Sequence, residues 1–215
     1  MQATRIIAVR HGETDWNLGT RLQGHLDIGL NDKGRWQAQR LARALAASEE
    51  PIAAVYSSDL QRAWDTARAV AEATHRPLHT ATGLRERSFG AFEGMTYAEI
   101  ETQHPEEALR WRRRDPEWAP PQGESLLALR ERVLSTAQAI AAQHQDEQIV
   151  LVAHGGVMDM LYRAAAGVDL QAPRTWNLGN AAANRLLWSS EGFSIVGWSD
   201  TSHLDDDAVL DETTA

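Results

Sequence analysis

Apolar residues along this chain keep two rhythms, short unbroken runs and longer stretches with helical spacing. Arg5-Ile6-Ile7-Ala8-Val9-Arg10 is a run that ends at His11-Gly12, the pattern of a buried strand delivering polar residues at its carboxyl end. From Asp32 to Ala47 the positions Ala38, Leu41, Ala42 and Leu45 recur at i, i+3, i+4 and i+7. That spacing predicts an amphipathic helix, capped by Asn31 or Asp32 and finished before Pro51. Ala53 to Ser57 reads as a second strand, and Asp59 as the cap of a helix whose inner face is Leu60, Trp64, Ala67 and Ala71. A third strand is expected near Leu78 to Leu84.

The stretch from Arg85 to Gln122 is less regular, with short helical pieces expected at Thr96 to Gln103 and Glu106 to Arg113, closed by Pro116, Pro120 and Pro121. It reads as an insertion or lid, about 85–122, over one end of the sheet. Ser125 then opens a long helix with Leu126, Leu129, Val133, Ala137 and Ile140 on its inner face. The run Ile149 to Ala153 ends in His154-Gly155-Gly156, a second strand that delivers a His-Gly pair. Val157, Met160, Leu161 and Ala164 define a further helix with Gly167 as its stop, and Ala182 to Trp188 with Phe193 to Trp198 form a terminal hairpin.

Alternation of strands and helices predicts a three-layer α/β/α sandwich whose sheet is mostly parallel with an antiparallel edge. A length of 215 residues suits one large domain, placed at 1–204, and leaves 205–215 as an acidic, disordered tail. Ligands in such folds sit beyond the carboxyl ends of the strands.

Composition narrows the function classes. A net charge of −9 argues against nucleic acid or anionic lipid as partner, so any anion must be captured by a local cluster of arginines. The apolar runs are too short for a membrane span, and Met1 leads into the first strand pattern without a secretory signal. The absence of cysteine excludes disulfides, thiolate metal sites and a cysteine nucleophile, and a cytoplasmic protein is expected. Exposed members of the eight tryptophans would suit a homodimer contact.

The candidate chemistry lies at the strand ends. Arg10-His11-Gly12 and His154-Gly155-Gly156 fall at the same edge of the predicted sheet, so two histidines can face one pocket. Glycine after each lets backbone approach a ligand, and N–H groups at a helix start donate to an anion. Ser57-Ser58-Asp59-Leu60-Gln61-Arg62-Ala63 puts Arg62 in the first turn of a helix at another strand end. Arg10 and Arg62 together form a permanently charged clamp for phosphate oxygens.

Arg10-His11-Gly12-Glu13-Thr14 with Trp16-Asn17 resembles the signature of the histidine phosphatase superfamily, in its phosphoglycerate mutase-like branch. Later matches keep the family's order: Gln23-Gly24, Leu30, Gly34 with Gln37-Ala38, the Ser57 to Ala63 segment with Thr66-Ala67, and Leu84-Arg85-Glu86. Phe89-Gly90, Glu93-Gly94, Gly123-Glu124-Ser125 and Val152 to Gly156 follow, so the resemblance runs from about Ile6 to about His203. It implies a phosphoglycerate mutase-like fold in which His11 is phosphorylated during turnover. It also implies that Arg10, Arg62 and His154 bind the transferring group, that Asn17 helps to hold it, and that Glu86 gives a proton to the leaving oxygen. Gln23, Gly24 and Gly155 complete the expected phosphate-binding set, with no metal and no cofactor.

The physical requirements agree with those roles. His11 must be neutral to attack phosphorus, and nearby arginines favour the neutral ring. Glu86 must carry its proton when it donates. His25, His75, His79, His104, His144 and His203 read as surface or packing residues, His25 being the one nearest the expected pocket. The run Arg110, Arg112, Arg113, Arg114 reads as a solvated helix face, although mutases of this family place an arginine pair against substrate in a similar setting.

A metal-independent phosphatase acting on a small-molecule phosphate ester is therefore expected. The alternative is a cofactor-dependent phosphoglycerate mutase-type phosphotransferase, and the third reading is a non-catalytic phosphate-binding scaffold. The short segment between Glu86 and Gly123 favours the phosphatase, since a mutase must exclude water from its phosphoenzyme.

Overall fold

Successive side chains of a strand point to opposite faces, so Ile6 and Ala8 pack on one side of β1 (Thr4–Arg10) while Ile7 and Val9 pack on the other. Both sides are buried, which is why this strand reads as an unbroken apolar run. The computed structural model describes residues 2–205. After β1 come a single turn, α1 (Asp15–Leu18), then α2 (Asp32–Ala46), β2 (Ile52–Ser57), α3 (Gln61–Thr74) and β3 (Leu78–Thr80). The irregular stretch carries α4 (Tyr97–Gln103) and α5 (Pro105–Arg112). It is followed by α6 (Leu126–Ala141), β4 (Gln148–Ala153), α7 (Gly155–Ala166), β5 (Ala183–Ser189) and β6 (Gly192–Asp200).

The six strands lie in the order β3-β2-β4-β1-β5-β6. β3, β2, β4 and β1 run parallel, whereas β5 pairs antiparallel with β1 and with β6, so the hairpin forms the antiparallel edge. One face carries α6 and α7, through Leu129, Val133, Val157 and Leu161 against Leu151 and Ile149. The other carries α2 and α3, through Leu41, Leu45, Ala67 and Val70 against Val150 and Val152. Each fully buried aliphatic side chain contributes about 1.5–3 kcal/mol of transfer free energy, so both helical layers are bound to the central strands. A third cluster, Phe92, Ile100, Ala108 and Trp118, gives the 85–122 stretch a core of its own.

Most expected elements stand where the patterning puts them. Asn31 caps α2 by accepting from the Gly34 N–H at 2.8 Å, Ser125 caps α6, and Thr96 caps α4. Three details differ. Asp59 does not cap α3, because its carboxylate is taken by Arg85; the Gln61 N–H donates instead to Asp27 Oδ1 at 2.7 Å. The buried face of α3 is Arg62, Ala63, Thr66, Ala67, Val70 and Ala71, with Trp64 half-buried, since the helix is turned to carry Arg62 inward. The third strand stops at Thr80, and Thr82–Leu84 is a 3-10 turn. Asp205, where the tail was expected to begin, is bound through its carbonyl by Arg40; residues 206–215 lie outside the described residues. Among the described residues no helix is long and apolar enough to cross a membrane.

Candidate active site

Three central strands stop level with one another. Arg10 is in register with Ala153 and Ser57 with Val152, so the next residues, His11, Ser58 and His154, emerge side by side at one sheet edge. The backbone continues the ladder one step further: the His11 N–H donates to the Ala153 carbonyl at 2.9 Å and the Ser58 N–H to the Val152 carbonyl at 3.1 Å. The register thus brings together residues that are far apart in the chain.

His11 is 2% exposed, and its Nδ1 lies 2.7 Å from the Gly12 carbonyl. A carbonyl only accepts, so the proton is on Nδ1 and Nε2 carries the lone pair. Burial lowers its pKa well below the ordinary histidine value, and the charges of Arg10 and Arg62 push the same way, so the ring is neutral. The loop behind it is clamped to both helices of one layer. The Gly12 N–H donates to Thr66 Oγ1 at 3.0 Å, the Glu13 N–H to Gln37 Oε1 at 2.8 Å, and Asn180 Nδ2 to the His11 carbonyl at 2.9 Å. A Cβ on Gly12 would fall 2.4 Å from the Gly34 carbonyl oxygen, and one on Gly34 would fall 2.1 Å from that of Glu13, so this crossing of two backbones requires both glycines.

Donors surround the ring. Arg62 is 0% exposed; Nη1 donates to the Leu26 carbonyl at 2.9 Å and Nη2 to the Gly24 carbonyl at 2.7 Å, while Nε has no hydrogen-bond partner. Arg10 is held by the Leu178 carbonyl through Nη1, and its Nε is likewise without a partner. Burial lowers the pKa of both guanidiniums and the charge of Glu86 raises it; an arginine keeps its charge throughout. Asn17 Oδ1 accepts from the Thr14 N–H and hydroxyl and from Asn180, which leaves its amide NH2 free to donate. His154 is fully buried behind His11, with ring centroids 5.2 Å apart. Burial, then Arg62, His11 and Arg10, keep its pKa well below the ordinary value as well.

Glu86 reaches the site from the irregular stretch. Its Oε1 accepts from the Gly156 N–H at 3.0 Å and from the Arg87 N–H at 2.8 Å, which fixes the carboxylate at the amino end of α7. A Cβ on Gly156 would lie 2.2 Å from that oxygen, so the residue after Gly155 must be bare for the carboxylate to seat. The Glu86 carbonyl accepts from His25 Nε2 at 2.8 Å and from Arg132 Nη2 at 3.2 Å. His25 therefore braces the backbone of Glu86.

One cavity of about 490 Å³ is lined by Arg10, His11, Asn17, Gln23, Gly24, Arg62, Glu86 and Gly155. These are eight of the nine residues singled out in the sequence; His154 lies one layer deeper. Among the described residues no group of three or more His, Asp or Glu side chains is placed to hold a metal ion. The arginine run divides: Arg112 faces outward to Glu101 and Tyr97, Arg110 pairs with Asp115, and Arg114 alone lines the cavity, where it binds Asp159. Asp159, Arg174, Trp176 and Asn180 had no signal in the patterning, the last three because they stand in an aperiodic connection between α7 and β5; Ser58 falls within a matched motif, but its contact with His154 became visible only in the fold. Thr66 and Gln37 fall within matched motifs, but their hydrogen bonds to the His11 loop became visible only in the fold.

The model of the histidine phosphatase superfamily (branch 1) matches residues 6–201, and the chain belongs to that family. Phosphoglycerate mutase-like protein 4 of Arabidopsis thaliana is 40% identical over 209 residues, covering 95% of this chain and 89% of the relative. The metal-independent phosphoserine phosphatase of the same plant is 37% identical over 206 residues, covering 94% and 84%. In solved structures, mycobacterial glucosyl-3-phosphoglycerate phosphatase superposes with a TM-score of 0.81 at 34% identity, covering 93% of this chain and 100% of that one.

Proposed function

We propose that this protein hydrolyses small phosphate monoesters through a phosphohistidine at His11, without a metal ion. The observation that carries the reading is the His11 ring itself: neutral, with its proton committed to Gly12, and with Nε2 available beside two arginines whose Nε atoms are unpaired. Two relatives are named for phosphoserine and for glucosyl-3-phosphoglycerate, and each name denotes a phosphate monoester.

The chemistry follows from that placement. His11 Nε2 attacks phosphorus and forms the N–P bond while the ester P–O bond breaks, and Glu86 gives its proton to the departing oxygen, which leaves as the alcohol. Arg10, Arg62 and the Asn17 amide stabilise the equatorial oxygens, whose charge grows in the transition state. His154 adds its Nδ1–H at the innermost end. Water then attacks phosphorus, Glu86 takes back a proton, the N–P bond breaks, and orthophosphate leaves a neutral His11.

The test is turnover of p-nitrophenyl phosphate in chelator, together with trapping of an acid-labile phosphoryl label on the protein. Activity and label should both vanish in His11→Ala. A requirement for added metal, or unchanged turnover in that variant, would overturn the reading. Conversion of 3- to 2-phosphoglycerate with bisphosphorylated primer, faster than hydrolysis, would replace it with the mutase.

A further inference from the structure

The turn that leads into β5 is held in a conformation its sequence does not favour. Gly179 to Ala182 is closed by the Ala182 N–H on the Gly179 carbonyl at 3.4 Å, and its third residue, Ala181, is fully buried with φ 56°. A positive φ at that place suits glycine or asparagine, because a Cβ crowds the backbone there. Alanine stays in it only where the surroundings over-determine the turn.

The end of β1 hangs on this turn. The Ala181 N–H donates to the Arg10 carbonyl at 2.8 Å, and Asn180 Nδ2 donates to the His11 carbonyl at 2.9 Å. Two adjacent residues of the turn thus fix the peptide groups on both sides of His11. β5 is anchored by its ladder to β1, so a relaxation of Ala181 to negative φ would swing the Asn180 side and draw both donors away.

His203 supplies a restraint. The chain leaves β6 through a 3-10 turn, Ser202–Leu204, and the half-buried His203 ring sets Nε2 3.0 Å from the Ala181 carbonyl. A carbonyl only accepts, so Nε2 donates. The turn that aims the ring is tied down in its own right. Asp200 accepts from Arg185 at 2.7 Å and from the Ser202 N–H and hydroxyl at 3.1 and 2.7 Å, while Arg40 on α2 donates from Nε to the His203 carbonyl at 2.8 Å. All of this lies outside the cavity, whose lining does not include His203.

We propose that His203 is a positioning residue for His11: its hydrogen bond to the Ala181 carbonyl keeps the left-handed turn that fixes the main chain on both sides of the imidazole. For its effect on rate the inference rests on the phosphatase reading above. His203 acts on the aim of Nε2 and not on the groups that hold phosphate, so it should move kcat and leave KM nearly alone.

The test is a matched pair of amides. His203→Gln places an NH2 close to where Nε2 stands, whereas His203→Asn is one methylene too short to reach the Ala181 carbonyl. Both are polar-for-polar exchanges at a half-buried site, which the fold should tolerate. His203→Asn should lower kcat for p-nitrophenyl phosphate on the order of tenfold to a hundredfold, and His203→Gln should keep most of it. Adding Ala181→Gly to His203→Asn should recover most of the loss, because glycine holds a positive φ without a restraint. Exchange of the His11 Nδ1–H with solvent, followed by NMR without substrate, should quicken in His203→Asn and slow again in the double variant. A His203→Asn rate equal to that of the wild type, or a loss that Ala181→Gly leaves intact, overturns the role of His203 while p-nitrophenyl phosphate is still hydrolysed. A wild-type protein that does not hydrolyse p-nitrophenyl phosphate overturns the phosphatase reading instead; unchanged exchange in His203→Asn would then overturn the positioning of His11 as well.

Discussion

Ser58 Oγ lies 2.9 Å from His154 Nε2, and the same hydroxyl oxygen accepts the Leu60 N–H at 3.3 Å. A hydroxyl oxygen keeps a second lone pair, so the contact allows either direction; the proposed donation from His154 Nδ1, the nitrogen with no other partner, requires that Nε2 accept the Ser58 hydroxyl hydrogen. In the proposed mechanism Ser58 is then a positioning residue that sets which side of His154 donates.

Ser58→Ala should lower kcat for p-nitrophenyl phosphate on the order of tenfold to a hundredfold, as small misplacements in active sites do, with little change in KM. Nitrogen chemical shifts of His154 should show a single Nδ1–H form in the wild type and a mixture in the variant. A variant that keeps both the rate and the single tautomer would remove Ser58 from the mechanism.

In the proposed mechanism Glu86 gives its proton to the leaving oxygen, so its importance should scale with how poorly that oxygen leaves. Glu86→Gln keeps a group able to accept the Gly156 N–H and should lower turnover of alkyl phosphates by about 10²–10⁴-fold. p-Nitrophenyl phosphate should lose far less, because p-nitrophenolate departs without a proton. Equal losses on both substrates would contradict the assignment.

Arg62 ties down the Gly24 and Leu26 carbonyls, and in the proposed mechanism it also binds the phosphoryl group. Arg62→Ala would strand the carbonyls of Gly24 and Leu26 in the interior and should lower stability by about 3 kcal/mol, read from denaturant midpoints. Turnover should fall by about 10²–10³-fold, the usual loss for one transition-state donor. Arg62→Lys should recover part of the stability but little of the rate, since one ammonium cannot serve two carbonyls and the phosphoryl group.

The two buried histidines couple stability to pH. Both have pKa values lowered in the folded protein relative to about 6.5 in the unfolded chain. Above 6.5 neither state binds the proton; as pH falls below it, the unfolded chain binds protons that the fold refuses. Stability should therefore decline with a limiting slope of about 1.4 kcal/mol per pH unit for each histidine. Denaturation midpoints from pH 7 to pH 5 test this, and His11→Gln should halve that part of the slope. Protonation of His11 should not limit turnover near pH 6.

Legibility from sequence followed the strength of local pattern. The strands ending at His11 and His154 are continuous apolar runs, so the meeting of the two histidines could be expected before the register was known. The helix bearing Arg62 was recognisable, but its rotation was not, because apolar spacing assumes that a charged residue faces solvent and this one turns inward to two carbonyls. Asp59 was drawn from capping to pairing by Arg85, a partner 26 residues away. The 174–180 connection was silent for a different reason: several of its contacts are made by main-chain carbonyls, which carry no residue signature.

The contact between Gly12 and Gly34 has a consequence for how His11, the proposed nucleophile, responds to the rest of the molecule. With no side chain between the loop and α2, there is no soft layer to absorb a displacement, and a shift of the helix reaches the imidazole undamped. Repacking Leu41 or Leu45, roughly two and three turns along that helix, should then register as altered catalysis before it registers as loss of folding. In this chain the aim of the imidazole proposed to attack is inherited from the layer beneath it.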